Sequence, residues 1–492
     1  MDYYVGIDLG TSSVKLMLVD GDGEIQNTVT KEYPVSYPRS GWSEQNAEDW
    51  WDAICSALPE LLQRFDGQAV KGLGVAGQMH GLVILDREDS VIRPTILWND
   101  GRTEQETTYL NEAVGKEKLF SCTGNIAFAG FTAPKLLWLK EHEPEHFQRI
   151  QKIMLPKDYI NYCLTGVHCT DYSDAAGMLL LDVANKRWSH EMLSLCDLRE
   201  EQLPRLYESF EVVGSIRSDL AQRFGINPKA VVVAGAGDNA AAAIGTGTVG
   251  EGKCNISLGT SGTIFVSSQH FSGDVTQAIH SFCHADGGYH LMGCILSAAS
   301  CHKWFCDEVL HTHDYSEEEG LIEYDRLGKN EVFFLPYLMG ERSPINDTNA
   351  TGLFIGMRPN TSRADLYQAI LEGVAFAIKD NLEVIRSLGI EVNCSCLCGG
   401  GARSALWRKI LANVLDIELS LPVTEQGPGY GSALLAMVGA GRYENVQQCA
   451  TRFVKIKETV KPDRGLASRY AERYERYQKI YPSVKNLYQE IK

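Results

Sequence analysis

The sequence has no excess of positive charge. Its 492 residues carry 46 lysines and arginines against 63 aspartates and glutamates, a formal net charge of −17. A protein that follows the phosphate backbone of nucleic acid needs a basic surface. We therefore expect no nucleic-acid partner.

The sequence also lacks an apolar run suited to a membrane. The longest weakly polar stretch, residues 230–247, is mostly alanine and glycine and contains Asp238. A carboxylate at the centre of a bilayer costs about 2.5–3.5 kcal/mol, which alanine and glycine offset little. No basic and then apolar leader opens the chain. We expect a cytoplasmic protein with no membrane partner.

Paired-cysteine motifs are missing as well. The fourteen cysteines include no C-x-x-C pair, which favours reduced thiols in a cytoplasm over a disulfide or zinc framework. Cys394, Cys396 and Cys398 alternate as residues on one face of a strand do. We interpret them as buried strand thiols, with a metal site as the alternative.

Two nucleotide-binding motifs are incomplete. Residues 247–254 resemble a P-loop, but position 254 is cysteine where serine or threonine should hold magnesium. Residues 235–240 resemble a dinucleotide fingerprint, but no carboxylate follows about 20 residues later to bind a ribose. A hydride-transfer enzyme therefore remains only as an alternative from a different class.

A strand-turn-helix segment at residues 231–243 stands out among the features that are present. A β-branched run leads through small residues into an alanine-rich helix, and Asp238 lies at the junction. The residue types favour either a helix N-cap or a catalytic acid or base at a strand end.

A Gly-Thr-Ser loop between two predicted strands occurs twice. Residues 7–12 match residues 256–261, except that Asp8 is replaced by Ser257. Backbone N–H groups and hydroxyls in such loops suit phosphate oxygens, and an ordinary hairpin turn is the alternative. The repeat predicts two related domains, residues 1–244 and 245–492.

The two hairpins, and glycine turns late in the chain, resemble the actin/hexokinase/Hsp70-like ATPase architecture. Within it, essentially the whole chain is similar to the FGGY carbohydrate kinases. Residues 130–142 resemble the first family signature, and residues 352–357 with 365–372 resemble the second. Shorter motifs similar to those of xylulose-phosphorylating members are residues 42–45, 78–81, 98–102, 156–158, 281–284 and 399–403.

The resemblance implies an α/β protein with two ribonuclease H-like domains around an interdomain cleft. It implies a sugar kinase that uses ATP and Mg²⁺ and phosphorylates a small-molecule sugar, D-xylulose, at its terminal hydroxyl. Gluconate, ribulose and polyol kinases are alternatives within the family, and an actin-like assembly ATPase is an alternative outside it. Dimers are common in the family, so a homodimer is a further expectation.

The resemblance also implies roles for individual residues. Asp238 would be the general base, and Asp8 would be catalytic and hold the metal. The predicted sugar contacts are Met79, His80, Trp98, Asp238 and Asn239. The predicted nucleotide contacts are Thr11, Ser12, Lys15, Gly259, Thr260, Gly400 and Gly401. A solvent-facing strand lysine is the alternative for Lys15.

Overall fold

Large mixed β-sheets form the centre of each half of the chain. The computed structural model describes residues 1–276, 278–423 and 427–491. The strands are β1 (Tyr3–Leu9), β2 (Ser13–Asp20), β3 (Ile25–Glu32), β4 (Glu44–Gln45), β5 (Val70–Gly77), β6 (Val83–Leu85), β7 (Thr95–Ile96), β8 (Lys152–Met154), β9 (Cys169–Asp171), β10 (Leu181–Asp182), β11 (Arg187–Trp188), β12 (Arg205–Tyr207), β13 (Val212–Ser215), β14 (Val231–Val233), β15 (Ala236–Gly237), β16 (Cys254–Leu258), β17 (Gly262–Ser268), β18 (His280–Cys283), β19 (Tyr289–Ile295), β20 (Phe333–Leu335), β21 (Leu353–Ile355), β22 (Cys394–Cys398), β23 (Glu418–Pro422) and β24 (Ile456–Val460).

Helices cover the sheets and connect their strands. The α-helices are α1 (Ala47–Leu62), α2 (Glu104–Thr108), α3 (Lys116–Thr123), α4 (Thr132–His142), α5 (Pro144–Arg149), α6 (Pro156–Thr165), α7 (Tyr172–Ala175), α8 (His190–Leu195), α9 (Ser218–Phe224), α10 (Asp238–Gly245), α11 (Ala299–Trp304), α12 (Tyr315–Gly320), α13 (Arg363–Ser387), α14 (Ala405–Leu415), α15 (Gly427–Gly439), α16 (Val446–Phe453), α17 (Arg464–Tyr477) and α18 (Ile480–Glu490). None of the described helices has the length and apolar character needed to span a bilayer.

The two sheets share their strand order and directions. The first has the order β3-β2-β1-β5-β14-β13, with β15 also paired to β5, and the second contains β19-β17-β16-β22-β23-β24 with β18 outside β19. In each, the three central strands run parallel. The strands on either side of them run antiparallel. This confirms the predicted two-domain α/β fold.

The repeated Gly-Thr-Ser loops occupy equivalent places in the two sheets. One joins β1 to β2 and the other joins β16 to β17. Asp8 lies opposite Lys15 in the first hairpin, whereas Ser257 lies opposite Thr263 in the second. Only the first loop therefore has a carboxylate at its entrance.

Helix α15 comes from the second half of the chain but packs against β1 and β5 of the first sheet and against α10. The contact is unusually close. A Cβ atom on Gly6 would lie 1.9 Å from the carbonyl oxygen of Gly429, and one on Gly74 would lie 2.2 Å from that of Ser432. The helix backbone thus rests directly on the strands because glycine lines the contact.

The three alternating cysteines lie on strand β22. Cys396 is buried, and Cys394 and Cys398 are half-buried. Cys398 Sγ donates to Asn255 Oδ1 at 3.6 Å, on the neighbouring strand β16. Among the described residues, these thiols are not part of any three-residue cluster that could hold a metal.

Candidate active site

Adjacent strand ends bring Asp8 and Asp238 to the same edge of the first sheet. Asp8 on β1 pairs in register with Ala76 on β5, and Ala76 pairs with Ala236 on β15. Asp238 follows β15 directly and begins α10. Since neighbouring strands lie about 4.8 Å apart, the two carboxylates flank the carboxyl end of β5, where α/β sheets bind ligands.

The carboxylate of Asp238 is half-buried. It accepts hydrogen bonds from the backbone N–H of Asn239 at 2.7 Å and from Asn239 Nδ2 at 3.1 Å. Burial and then the charge of Asp8 raise its pKa to about 7, against the opposing effect of the Asn239 N–H. The N-cap interpretation is wrong in detail: Gly237 occupies that position, and Asp238 is the first helical residue.

Asp8 is also half-buried, and burial raises its pKa to about 6. The opposing effect comes from Lys15, its cross-strand neighbour on β2. Directly opposed residues of antiparallel strands project from the same face with Cβ atoms about 5 Å apart. Two carboxylates and one ammonium group therefore lie at the same edge of the sheet.

His80 follows β5 in a left-handed backbone conformation, with φ of 68°. Such a conformation is uncommon for a residue other than glycine and costs roughly 1–3 kcal/mol. Its carbonyl oxygen accepts from Lys135 Nζ at 2.8 Å and Thr132 Oγ1 at 3.1 Å, both at the start of α4. These two donors hold the strained peptide in place.

The His80 ring is neutral and has a defined tautomer. Burial, together with the nearby charges of Lys135 and Arg342, lowers its pKa to about 3. Nδ1 lies 2.8 Å from the carbonyl oxygen of Gly177, which can only accept, so Nδ1 carries the hydrogen. Stacking on Phe131, with ring centroids 4.7 Å apart, fixes the ring plane. Nε2 is therefore a hydrogen-bond acceptor.

Two glycines make room for the side chains of Met79 and His80. A Cβ on Gly237, the residue before Asp238, would lie 2.9 Å from Met79 Sδ. A Cβ on Gly177 would lie 2.4 Å from His80 Cε1. Larger residues at these two positions would displace the pair, and Met79 lies against the residue that precedes Asp238.

Trp98 contacts the first Gly-Thr-Ser loop. Its Nε1 donates to Thr11 Oγ1 at 3.0 Å, and 43% of its surface is exposed. Gln45 Nε2 donates to the carbonyl of Thr11 at 2.6 Å. Ser12, the next residue, is exposed. A residue predicted to contact sugar thus supports the loop predicted to contact phosphate.

Three of the four predicted nucleotide residues of the second half line a cavity of about 530 Å³. Thr260, Gly400 and Gly401 are all in its wall. A Cβ on Gly400 would meet nothing within 4 Å, so the peptide surface there is open to a ligand. The carbonyl of Gly259 accepts from the Ala299 N–H at 2.9 Å, which holds this loop against the start of α11.

Other residues of that cavity were not predicted from the sequence. Ser300 donates through Oγ to the carbonyl of Thr260 at 2.8 Å, and Tyr315 and Trp407 supply aromatic surface. They come from α11, α12 and α14. No glycine turn or strand end marks them, because only the packing of these helices brings them to the loop.

A fully buried charge cluster beside Asp238 was also not predicted. Lys157 Nζ lies 2.6 Å from Asp158, 2.9 Å from Asp171 and 3.7 Å from Asp174. Burial raises the pKa of Asp174, and the charge of Asp238 is among the groups that raise it further. The motif at residues 156–158 was the only sequence signal for this cluster.

The cluster supports the backbone that leads into Asp238. Asp171 accepts from the hydroxyl of Ser209 at 2.7 Å and from the backbone N–H of Ser173 at 2.9 Å. The hydroxyl of Ser173 in turn accepts the N–H of Gly237 at 3.1 Å. The position of Asp238 is therefore fixed through hydrogen bonds from β9 and α7.

The second half also reaches the His80 side of the site. The ring of Phe282 on β18 lies 6.3 Å from that of His80, and the charge of Arg342 acts on His80. Nearby, Asn125 bonds both backbone groups of Ser281, donating at 2.8 Å and accepting at 3.0 Å. The two halves thus meet around the predicted sugar contacts.

Comparison with known proteins agrees with this geometry. The N-terminal domain of the FGGY family of carbohydrate kinases matches residues 3–245, and the C-terminal domain matches residues 254–440. Xylulose kinase from Escherichia coli (strain K12) is 41% identical, over 99% of each chain. A solved xylulose kinase from Brucella ovis superposes with a TM-score of 0.93 at 40% identity, over 99% of this chain and 100% of that one. Gluconate kinase from Lactobacillus acidophilus has the same TM-score at 25% identity, over 100% of each chain. The chain belongs to the FGGY family of carbohydrate kinases.

Proposed function

We propose that the protein transfers the terminal phosphoryl group of ATP to the terminal hydroxyl of D-xylulose, giving D-xylulose 5-phosphate and ADP. The observation that carries this proposal is the half-buried Asp238 carboxylate, with a pKa of about 7, directly after Gly237, which Met79 contacts. The relatives named xylulose kinase support the choice of sugar.

Asp238 is the general base of the proposed reaction. A base works best when its pKa lies near the operating pH, since it is then both ionised and basic enough to accept a proton. The hydroxyl oxygen forms a bond to the γ-phosphorus as the bond to the β-phosphate oxygen breaks. The hydroxyl proton passes to Asp238, and ADP leaves.

Met79 and His80 position the sugar. Nε2 of the neutral His80 accepts a hydrogen bond from a sugar hydroxyl, and the Met79 side chain gives an apolar wall against Gly237. Trp98 and Asn239 complete the sugar side. Since phosphoryl transfer depends mainly on in-line positioning, a ring held by Phe131 and Gly177 suits this task.

The phosphates lie between the two Gly-Thr-Ser loops in this proposal. Thr11, Ser12 and Lys15 face them from the first half, and Gly259 and Thr260 from the second. Gly400 and Gly401 bind the nucleoside end, which the open peptide surface at Gly400 allows. We accordingly assign sugar binding to residues 1–244 and nucleotide binding to residues 245–492.

Asp8 fits a role as magnesium ligand. Its carboxylate is half-buried at the phosphate loop, and oxygen is the ligand that Mg²⁺ prefers. A bound cation there would neutralise charge on the phosphates during transfer. Ser257, which has no carboxylate, takes the equivalent place in the second loop. We therefore assign metal binding to Asp8 alone of the two.

The test is ADP release with D-xylulose, other ketoses, gluconate and polyols as acceptors. We expect the highest kcat/KM with D-xylulose. A higher value with gluconate would favour the second candidate function, for which the shared fold with a gluconate kinase is the supporting observation. Equal ATP hydrolysis with and without every acceptor would contradict a sugar kinase and favour an assembly ATPase.

We further propose a cytoplasmic homodimer. The cytoplasmic location is supported by fourteen cysteines that carry thiols rather than disulfides. The dimer is supported by family resemblance alone, and light scattering on the purified chain measures it directly.

A further inference from the structure

A groove on the first half is lined by side chains that the proposed reaction does not use. It lies beside α2 and α4 and has a volume of about 520 Å³, with Glu106, Lys140 and Glu141 in its wall. Glu106, Glu141 and His142 each present one ligand atom, and these atoms lie within 4.8 Å of one another. Glu106 comes from α2, and Glu141 and His142 are consecutive residues at the end of α4.

Glu106 is the unusual member of this group. Its residue surface is only 6% exposed, and its buried Oε2 has no hydrogen-bond partner among the described residues. A buried carboxylate oxygen without a partner is costly, and such groups are normally paired or bound to a metal. Oε2 is therefore the atom of this side chain that a bound cation would satisfy.

One ring nitrogen of His142 is hydrogen-bonded to backbone. Its Nδ1 lies 3.1 Å from the carbonyl oxygen of Trp138, so Nδ1 donates there and Nε2 is the nitrogen that could face a ligand. The ring stacks on Trp138, with centroids 4.9 Å apart and planes 8° apart. A hydrogen bond from the second ring nitrogen to a carbonyl is the usual support of a metal-bound histidine.

The charges of the groove also favour a cation. Lys140 is directed to Asp197, with 3.3 Å between Nζ and Oδ2. Two carboxylates and one imidazole then share the cluster. We propose that Glu106, Glu141 and His142 bind a divalent transition metal of the zinc type. An imidazole with two carboxylates suits such a metal better than magnesium or calcium, and water completes the coordination.

The metal would join α2 to α4. Helix α4 begins with Thr132 and includes Lys135, which together hold the carbonyl of His80. A tie at the other end of α4 would stabilise the helix that supports the predicted sugar contacts. The site is separate from the proposed reaction and stands or falls without it.

Zinc titration of the chelator-stripped full chain tests the proposal, in buffer with excess magnesium to occupy oxygen sites such as Asp8. We expect one zinc per chain in calorimetry and a higher melting temperature on binding. His142→Gln and Glu106→Gln should each weaken binding by at least about tenfold, since even loss of an outer-shell partner costs 10–100-fold. Exposed Glu141→Gln gives a third variant with little risk to folding.

His146→Gln is the matched control. His146 also lies beside a carboxylate, with Nδ1 2.8 Å from Glu143 Oε2. Among the described residues it belongs to no three-residue cluster that could hold a metal. This variant should bind zinc as the parent does. The proposal would be overturned if the parent chain bound no zinc, or if all three ligand variants bound zinc as the parent does. It would also be overturned if cobalt, used in place of zinc, gave the charge-transfer bands of thiolate ligands.

Discussion

At the scale of single residues, burial places the pKa of Asp238 at about 7, so about half of this side chain is ionised at neutral pH. We expect kcat/KM for the sugar to rise about tenfold per pH unit below 7 and to level off above it. Asp238→Asn should lower kcat by ~10² or more, the usual contribution of a general base. Steady-state ADP release across pH measures both.

A matched control separates chemistry from burial. Asp380 is another carboxyl whose pKa burial raises to about 7, and it accepts from Tyr474 in the second half. Asp380→Asn should keep kcat within about twofold of the parent. An equal loss of kcat in both variants, or near-normal turnover by Asp238→Asn, would show that Asp238 is not the base.

Ionisation of Asp238, which the proposed reaction needs, lowers the stability of the fold. Because folding raises the pKa of Asp238 from 3.8 to about 7, its stabilising contribution is full below pH 3.8 and is lost as the pH rises through 7. The ionised group therefore disfavours the folded state above pH 7. We expect Asp238→Asn to melt at least about 1 °C higher than the parent at pH 8, with the difference vanishing near pH 4. A lower melting temperature at pH 8 would contradict this balance.

At the scale of elements, local pattern predicts the hairpins and the strand-to-helix junctions. Alternation in Tyr3–Ile7, the Gly-Thr-Ser turn and the β-branched run before Asp238 each specify structure within about ten residues, and β1, β2 and β14 form there. Because the Gly-Thr-Ser motif occurs in both halves, the sequence also predicted two related domains. Sugar and nucleotide roles came only from resemblance, and they remain predictions.

Long-range packing explains what the sequence did not predict. The aspartates around Lys157 come from α6, β9 and α7, and nothing local marks them as one cluster. Helix α15 follows β23 in the second half yet lies on the first sheet. The boundary at residues 244 and 245 stays a prediction, and this helix shows that contacts cross it.

The contact of α15 with β1 depends on the absence of side chains. Gly6→Ala would place a methyl group 1.9 Å from the carbonyl of Gly429, so either the helix or the strand must move. Overpacking of this kind typically costs about 1–3 kcal/mol, and more where backbone resists. Since Asp8 follows on the same strand, we expect lower activity as well. Chemical denaturation followed by fluorescence measures the loss.

Gly320→Ala is the control for that substitution. A Cβ at Gly320, at the end of α12, would meet nothing within 4 Å. The free energy of unfolding of this variant should lie within about 0.5 kcal/mol of that of the parent, as is usual for surface substitutions. Equal stability of Gly6→Ala and the parent would mean that α15 does not rest on β1 as the structure has it.

At the scale of the whole molecule, the side chain of Asn125 joins the two halves by hydrogen bonds. It donates to the carbonyl oxygen of Ser281 and accepts from its N–H, 156 residues away, and Asn125 is only 3% exposed. Ser281 lies on β18, next to Phe282, whose ring faces His80. We therefore expect the link to help fix the position of the second half beside the predicted sugar contacts, where exclusion of water would protect the phosphoryl group.

Asn125→Ala and Asn111→Ala together test this link. Asn111 makes the same pair of bonds to Ala127, at 2.9 and 3.0 Å, but within the first half. Each variant leaves a peptide unit unpaired, so we expect each to lose about 1–3 kcal/mol of stability. Only Asn125→Ala should alter the coupling of ATP use to sugar phosphorylation. We expect kcat/KM for the sugar to fall about tenfold, because small misplacements of substrate are costly. We also expect ATP hydrolysis without sugar to rise. Equal coupling in the two variants would mean that closure of the halves does not depend on Asn125, and that other contacts between them keep water out.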